Sequence, residues 1–151
     1  MNEVMCEALA IAALEHIALA DKLKSILSQP IEERDGMFIQ KTAPAEISSR
    51  MRANLQDRTG LECFINHIHI EDYLDDNEKR TSAGILLQGL TYAISLRQKL
   101  RGTHSGASFN IILTQSAESC SVRFHKIREN ESWLRNDIED YTDEGVCLLR
   151  T

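Results

Sequence analysis

The sequence predicts an α+β protein in which a four-stranded, mostly antiparallel sheet follows two extra N-terminal helices. Apolar residues recur every three or four positions over residues 3–28 and 81–101, which indicates two helices. The apolar pattern changes to a period of two over residues 61–70, and residues 109–114 and 120–127 are short runs rich in β-branched and aromatic residues, which is typical of strands. A short polar turn joins the last two of these strands, so we expect them to pair as a hairpin.

The N-terminal third is expected to be helical. The helix over residues 3–28 is apolar well beyond one stripe, so we expect it to be covered on two sides or to hold a second copy in a homodimer. A second helix is predicted from Pro44 to Asp57, with Gly60 as its end. Between the two helices, residues 37–39 are read as a short strand or anchor.

The C-terminal part is predicted to continue with a short helix from Trp133 to Tyr141 and a last strand from Val146 to Leu149. From residue 61 onward the order is then β-α-β-β-α-β, the ferredoxin-like arrangement. We expect one domain over residues 1–151, in which a helical part, 1–58, packs on an α+β part, 61–150. A chain of 151 residues buries roughly two thirds of its unfolded surface and needs no disulfide or metal to fold.

The net charge of the chain indicates which class of macromolecule it is suited to bind. The chain has 17 basic and 23 acidic residues, a net charge of −6. Affinity for nucleic acid comes mainly from Lys and Arg, so an acidic chain is a poor binder of nucleic acid and a better match for a basic protein. The strand over 120–127 also lacks the glycine frame of an RNA-recognition motif.

Cysteine usage and the N-terminus predict a cytoplasmic protein. The four cysteines are scattered without a C-x-x-C pair, which indicates free thiols in a reducing compartment. The apolar run from Ala8 to Ala20 is preceded by acids instead of Lys or Arg, and it is too short to span a bilayer. We therefore expect neither a secretory signal nor membrane association.

Two groups of residues are candidates for a catalytic or metal site. His67 and His69 point to one face of the predicted strand, roughly 7 Å apart, where they suit a shared metal, a pH-sensing pair or ordinary polar surface. Cys63 lies roughly 13 Å from His67 along that strand, too far to join them. A third ligand would have to be His125 or Asp72, so ordinary surface is favoured and no metal or cofactor is predicted. Cys120 and His125 are an odd number of positions apart, on opposite faces of their strand, which disfavours a thiol nucleophile with its base.

Acidic residues give the clearest non-random pattern. The segment from Glu71 to Glu78 carries five acids and no base, and the segment from Glu129 to Glu144 carries seven acids and one base. Like charges four apart on a helix destabilise it, so one interpretation is that a basic partner compensates for them. The plainer alternative is that these acids only solvate loops and a helix end.

Four segments in the last third of the chain form a pattern of a strand, a Trp-bearing segment, an acidic segment and a strand. They are Ser119–Arg128, Glu131–Leu134, Asp137–Tyr141 and Glu144–Val146. Over roughly residues 108–150 this pattern resembles small bacterial immunity proteins, including the partners of contact-dependent growth-inhibition toxins and related polymorphic toxins. The resemblance implies a non-enzymatic protein that covers the active site or substrate surface of a basic toxin, such as a nuclease.

That reading identifies candidate toxin-binding residues. The main patch is Asp137, Glu139, Asp140, Asp143 and Glu144, with Tyr141 as an aromatic anchor; the second patch is Glu71, Asp72, Asp75 and Asp76. Trp133 is read as a core residue. The competing hypothesis is a small-molecule-binding or regulatory dimer of ferredoxin-like domains, and an enzyme with a site assembled from scattered His and Cys residues ranks third.

Overall fold

The computed structural model describes residues 1–12, 18–41, 57–77, 81–117 and 119–151, with the backbone alone for 9–12. Its helices are α1 Glu3–Ala12, α2 Asp21–Ser28, α3 Arg58–Ile65 and α4 Ser82–Thr103. Its strands are β1 Ile31–Arg34, β2 Met37–Gln40, β3 Ile68–His69, β4 Phe109–Gln115, β5 Cys120–Lys126 and β6 Gly145–Arg150. Short 3-10 turns span Ile70–Tyr73 and Ile138–Asp140. The α+β class, helix α4, the β4–β5 hairpin and the last strand are confirmed. The predicted helix from Pro44 lies, apart from Asp57, outside the described residues.

The predicted continuous helix over residues 3–28 is wrong, because residues 18–20 are not helical. The side chain of Gln88 takes the place of helical hydrogen bonds there. Its Oε1 accepts from the Ala20 backbone N–H at 3.0 Å, and its Nε2 donates to the Ala18 carbonyl at 3.0 Å. Gln88 is buried in α4, so a polar residue of a distant helix decides where α2 begins.

The predicted strand over residues 61–70 is also wrong. Asp57 caps a helix by accepting a hydrogen bond from the Gly60 N–H at 2.6 Å, so Gly60 lies in the first turn of α3 and does not end a helix. Only Ile68 and His69 pair as strand β3. An acid is not expected on the buried face of a helix, so the sequence around the buried Glu62 did not indicate one.

Residues 31–40 form a two-stranded hairpin, within the part that was expected to be helical. Met37–Ile39 are a strand, as predicted, and they pair with β1. Asp35 and Gly36 occupy the turn with φ of 52° and 75°, the left-handed pair that a tight two-residue hairpin requires.

The four-stranded sheet has the order β3-β5-β4-β6, with all neighbours antiparallel. In the ferredoxin-like arrangement the last strand lies beside the first strand, whereas here β6 lies beside β4, at the opposite edge. The β5–β6 connection crosses β4 without the predicted helix from Trp133 to Tyr141. That segment is irregular apart from the turn at 138–140. The Asp137 carboxylate accepts a hydrogen bond from the Glu139 N–H, and this local contact favours a single turn over a longer helix.

Each face of the sheet is covered. Helices α1, α2 and α4 share one buried cluster with Phe109, Ile111, Leu113, Val122 and Phe124. Helix α4 approaches this face closely at Gly89, where a Cβ would lie 2.6 Å from the Cys120 Sγ. On the other face, Cys63 of α3 packs with Ile112 and Val146, and Trp133 and Tyr141 of the β5–β6 connection pack against them. No helix in the described ranges is long and apolar enough to cross a membrane.

Candidate functional site: an acidic rim and the sheet face beside it

The connection between β5 and β6 is held in place by hydrogen bonds to distant segments. The buried side chain of Asn2 donates to the carbonyls of Tyr141 and Glu144 and accepts from the N–H of Val146. The Glu131 carboxylate accepts from the Thr59 N–H at 3.0 Å. Burial alone would raise the pKa of Glu131, but the hydrogen bonds from Thr59 outweigh it and hold the pKa below its usual value. The acidic segment is therefore a fixed surface although it is not a helix.

The acidic side chains of the main patch differ in their contacts with the rest of the protein. Asp137 accepts from the Glu139 N–H, and the Glu139 carboxylate accepts from the Glu3 N–H at 3.0 Å. Asp140 and Asp143 are exposed, and in the described part of the chain their carboxylates enter no ion pair. These two side chains have the most freedom to meet a partner.

Tyr141, the predicted aromatic anchor for a toxin, is partly buried instead of standing exposed on the surface. Its ring packs against the cluster of Cys63, Ile112 and Val146, and its hydroxyl accepts from the Arg135 N–H at 3.1 Å. The Arg135 guanidinium lies 5.4 Å from the centre of the ring. Tyr141 thus supports the connection from inside, and Trp133 packs in the same cluster, consistent with the prediction of a core residue.

The second patch surrounds the 3-10 turn after β3. Glu71 accepts from the Ser119 hydroxyl at 2.7 Å and from the Cys120 N–H at 3.2 Å. Burial raises its pKa, but these bonds outweigh burial, so the pKa lies below its ordinary value. Asp75 pairs with Lys22 of α2 at 2.5 Å, whereas Asp72 and Asp76 are exposed.

The sheet register brings the two patches to the same end of the sheet. Glu71 contacts Cys120, the first residue of β5, which pairs with Gln115, the last residue of β4. Gln115 pairs in turn with Gly145, the residue after Glu144. The patches therefore border one end of the sheet at its two edges, three strand spacings or roughly 14 Å apart. We call this end the acidic rim.

The two histidines lie on the face shared with α3. Their ring centres are 4.5 Å apart. The His69 Nδ1 lies 2.9 Å from the Ser119 hydroxyl and 3.5 Å from a Glu71 oxygen, and the His67 Nε2 accepts from Arg123 at 3.0 Å. Burial, with Arg123 as the second cause, lowers the pKa of His67 to about 4. Across the described ranges, no three His, Cys, Asp or Glu side chains are placed to share a metal ion.

Three of the four thiols, those of Cys63, Cys120 and Cys147, are buried, whereas Cys6 is exposed. Cys63 lies on helix α3 instead of on a strand with the histidines, and burial raises its pKa well above the usual range. Burial likewise raises the pKa of Cys120 to about 12. Cys120 packs in the cluster under α4, whereas His125 lies on the other face with its Nε2 3.4 Å from Asn110, as strand parity predicts.

Sequence reasoning missed the ion pair between Glu62 and Arg128. The Glu62 side chain has no exposed surface, and its oxygens accept from Arg128 at 2.7 and 2.9 Å. They also accept from the N–H groups of Phe38 and Lys126. It also missed Arg123, which contacts His67 and lies 5.2 Å from the centre of the Trp133 ring. The available signal was a charged residue inside each apolar pattern.

Comparison with known proteins gives a family without a described activity. No curated protein and no solved structure matches the chain significantly. A family model described as "Uncharacterized protein PM0498 family" matches residues 1–150. Because that match covers nearly the whole sequence, the chain belongs to the PM0498 family.

Proposed function

We propose that this protein is a cytoplasmic immunity protein that binds a basic toxin and neutralises it by covering its active site or substrate surface. The observation that supports the proposal best is the acidic rim. Two acidic segments far apart in the sequence border the same end of one sheet, and their exposed carboxylates include Asp72, Asp76, Asp140 and Asp143. Such a surface suits a toxin of the nuclease class, whose substrate is a polyanion.

Recognition at this rim would combine attraction at a distance with a pre-formed surface. Clustered charges of one sign raise the rate of encounter with a partner of opposite charge, and that effect falls with added salt. A fixed surface loses little conformational entropy on binding. Asn2, Glu131 and Tyr141 hold the β5–β6 connection in the folded protein, so Asp140 and Asp143 are presented without a further ordering step.

The decisive variant reverses charge at residues with no other role in the fold. We expect Asp140→Lys with Asp143→Lys to weaken toxin binding by roughly tenfold or more at low salt and to make the remaining affinity less sensitive to salt, because two attractive charges become repulsive. Asp137 is a poor choice, because its carboxylate caps the turn at Glu139. Binding is measured by calorimetry with the basic protein that co-purifies with the tagged chain, at low and high salt.

A matched control changes charge by the same amount elsewhere. Asp21→Lys with Glu33→Lys alters two exposed acids outside both patches and should leave affinity nearly unchanged. A third double variant, Asp72→Lys with Asp76→Lys, tests whether the second patch contributes to toxin binding. Equal affinity for all three double variants, or a purified chain that captures no basic protein and protects no cell from a toxin, would contradict the proposal.

A further inference from the structure

Arg123 is a half-buried cation without a counter-ion. It projects from the centre of β5 to the sheet face shared with α3, and no described carboxylate lies within ion-pair distance of it. Its Nε is fully enclosed and has no hydrogen-bond partner. Charged side chains in such positions are normally paired, and an orphaned donor points to a group that the protein itself does not supply.

Three neighbours fix the orientation of the guanidinium. Nη2 donates to the His67 Nε2 at 3.0 Å and to the Ser121 hydroxyl at 3.4 Å. Because the guanidinium only donates, His67 must carry its proton on Nδ1. The third neighbour is Trp133, whose ring centre lies 5.2 Å from the guanidinium carbon, a cation–π distance. Nη1 has no hydrogen-bond partner among the described residues.

The surrounding charges do not neutralise Arg123. Glu144 and Tyr141 act on it electrostatically from outside hydrogen-bond reach, and Glu71 acts in the same way on His67. Burial is the largest influence on Arg123, and it lowers the guanidinium pKa. The site therefore combines a positive charge, an oriented guanidinium whose Nη1 faces no protein acceptor among the described residues, and a partly dry environment, and these are the components of an oxyanion site.

We propose that Arg123 holds a small oxyanion, a carboxylate or a phosphate, on this face of the sheet. An oxygen of the ligand is received at Nη1, and its charge offsets the whole guanidinium, including the enclosed Nε. His67 and Ser121 are positioning residues, because they hold Nη2 and leave Nη1 to the ligand. This site is separate from the acidic rim in its chemistry, and it exists whether or not the chain binds a toxin.

The experiment uses the only tryptophan of the chain as its reporter. Trp133 touches the proposed site, so its fluorescence reports binding at Arg123 directly. Inorganic phosphate and acetate are titrated separately into the full-length protein, with chloride at matched ionic strength as the control. We expect a saturable fluorescence change with at least one oxyanion and none with chloride. The oxyanion that saturates identifies the source, phosphate or carboxylate.

Variants test whether Arg123 is the binding group. R123M should abolish the saturable change, and R123K, which keeps the charge without the fork, should weaken it by roughly tenfold. R135M is the matched control, because it removes another guanidinium that lies on an aromatic ring and should leave the titration unchanged. No saturable change in the native chain, or an equal one in folded R123M or R123K, overturns the proposal.

Discussion

Glu62 shows how much one residue can organise. Its two oxygens gather Arg128 and two backbone N–H groups, one from β2 and one from β5, so the hairpin, helix α3 and the sheet meet at this carboxylate. Arg128 extends the contact by donating to the Gly36 carbonyl at 2.8 Å. Burying an isolated charge costs several kcal/mol, so each partner is stable in place only while the other remains.

Removing one charge of this pair should therefore be costly. We expect Glu62→Gln to lower the free energy of unfolding by about 3 kcal/mol, because Arg128 is left buried without its counter-ion. Urea denaturation measures the change. Glu32→Gln is the control, since Glu32 pairs with Arg34 on the surface and its loss should be hardly measurable. Equal losses for the two variants would show that burial does not strengthen the dependence on Arg128.

The low pKa of His67 predicts a pH dependence of stability. The imidazole takes up a proton near pH 6.5 in the unfolded chain but only near pH 4 in the fold, because burial, Arg123 and His69 disfavour the cation and outweigh the attraction of Glu71. The unfolded state thus binds more protons between these values, and the free energy of unfolding should fall as pH drops from about 6.5 to about 4.

The measurement is the urea midpoint across this pH range, in the native chain and in His67→Gln. The variant should lose part of the slope, while His125, whose pKa burial also lowers, keeps the remainder. An NMR titration that finds the His67 imidazole protonating near its ordinary pKa would contradict this prediction.

Among the helices and strands, those whose positions depend on neighbouring residues were predicted correctly from the sequence. Helix α4 has a complete apolar face, and strands β4 and β5 are apolar runs joined by a short polar turn, so the helix and the hairpin were predicted from the sequence. The break before α2 depends on Gln88, some 70 positions away, and helix α3 depends on Arg128 neutralising Glu62. No window of neighbouring residues contains these partners. The acidic rim also depends on distant contacts. Its residues were predicted from the sequence, but only the register of the strands places both patches at one end of the sheet.

The contact between α4 and the sheet gives a prediction about an element. A Cβ at Gly89 would lie 2.6 Å from the Cys120 Sγ and 2.9 Å from the Leu113 Cδ1, so Gly89→Ala should destabilise the protein by about 2 kcal/mol through overpacking. Gly102→Ala in the same helix is the matched control. Outside its own helical turn, no atom of the described residues lies within 4 Å of the Cβ position at Gly102, and the higher helix propensity of alanine should stabilise the protein by up to about 1 kcal/mol. Thermal denaturation compares them, and opposite signs are expected.

For the whole molecule, the sheet order determines where charge is concentrated. If β6 lay beside β3, as in the ferredoxin-like order, Glu71 and Glu144 would border adjacent strands and the like charges would crowd together. Placing β6 beyond β4 separates them by two intervening strands while keeping them at one end of the sheet. The negative charge of the two acidic segments is thus spread along a rim instead of being concentrated at a point.

The contacts of Asn2 determine when, during translation, one end of the sheet can be completed. Its side chain bonds to Val146, 144 positions away, and closes the same end of the sheet. Contacts between residues so distant in sequence are slow to form, because a long loop must close before they are gained. During translation, α1 can emerge, and the β4–β5 hairpin can pair, before β6 exists. This end of the sheet is therefore completed only after β6 has left the ribosome.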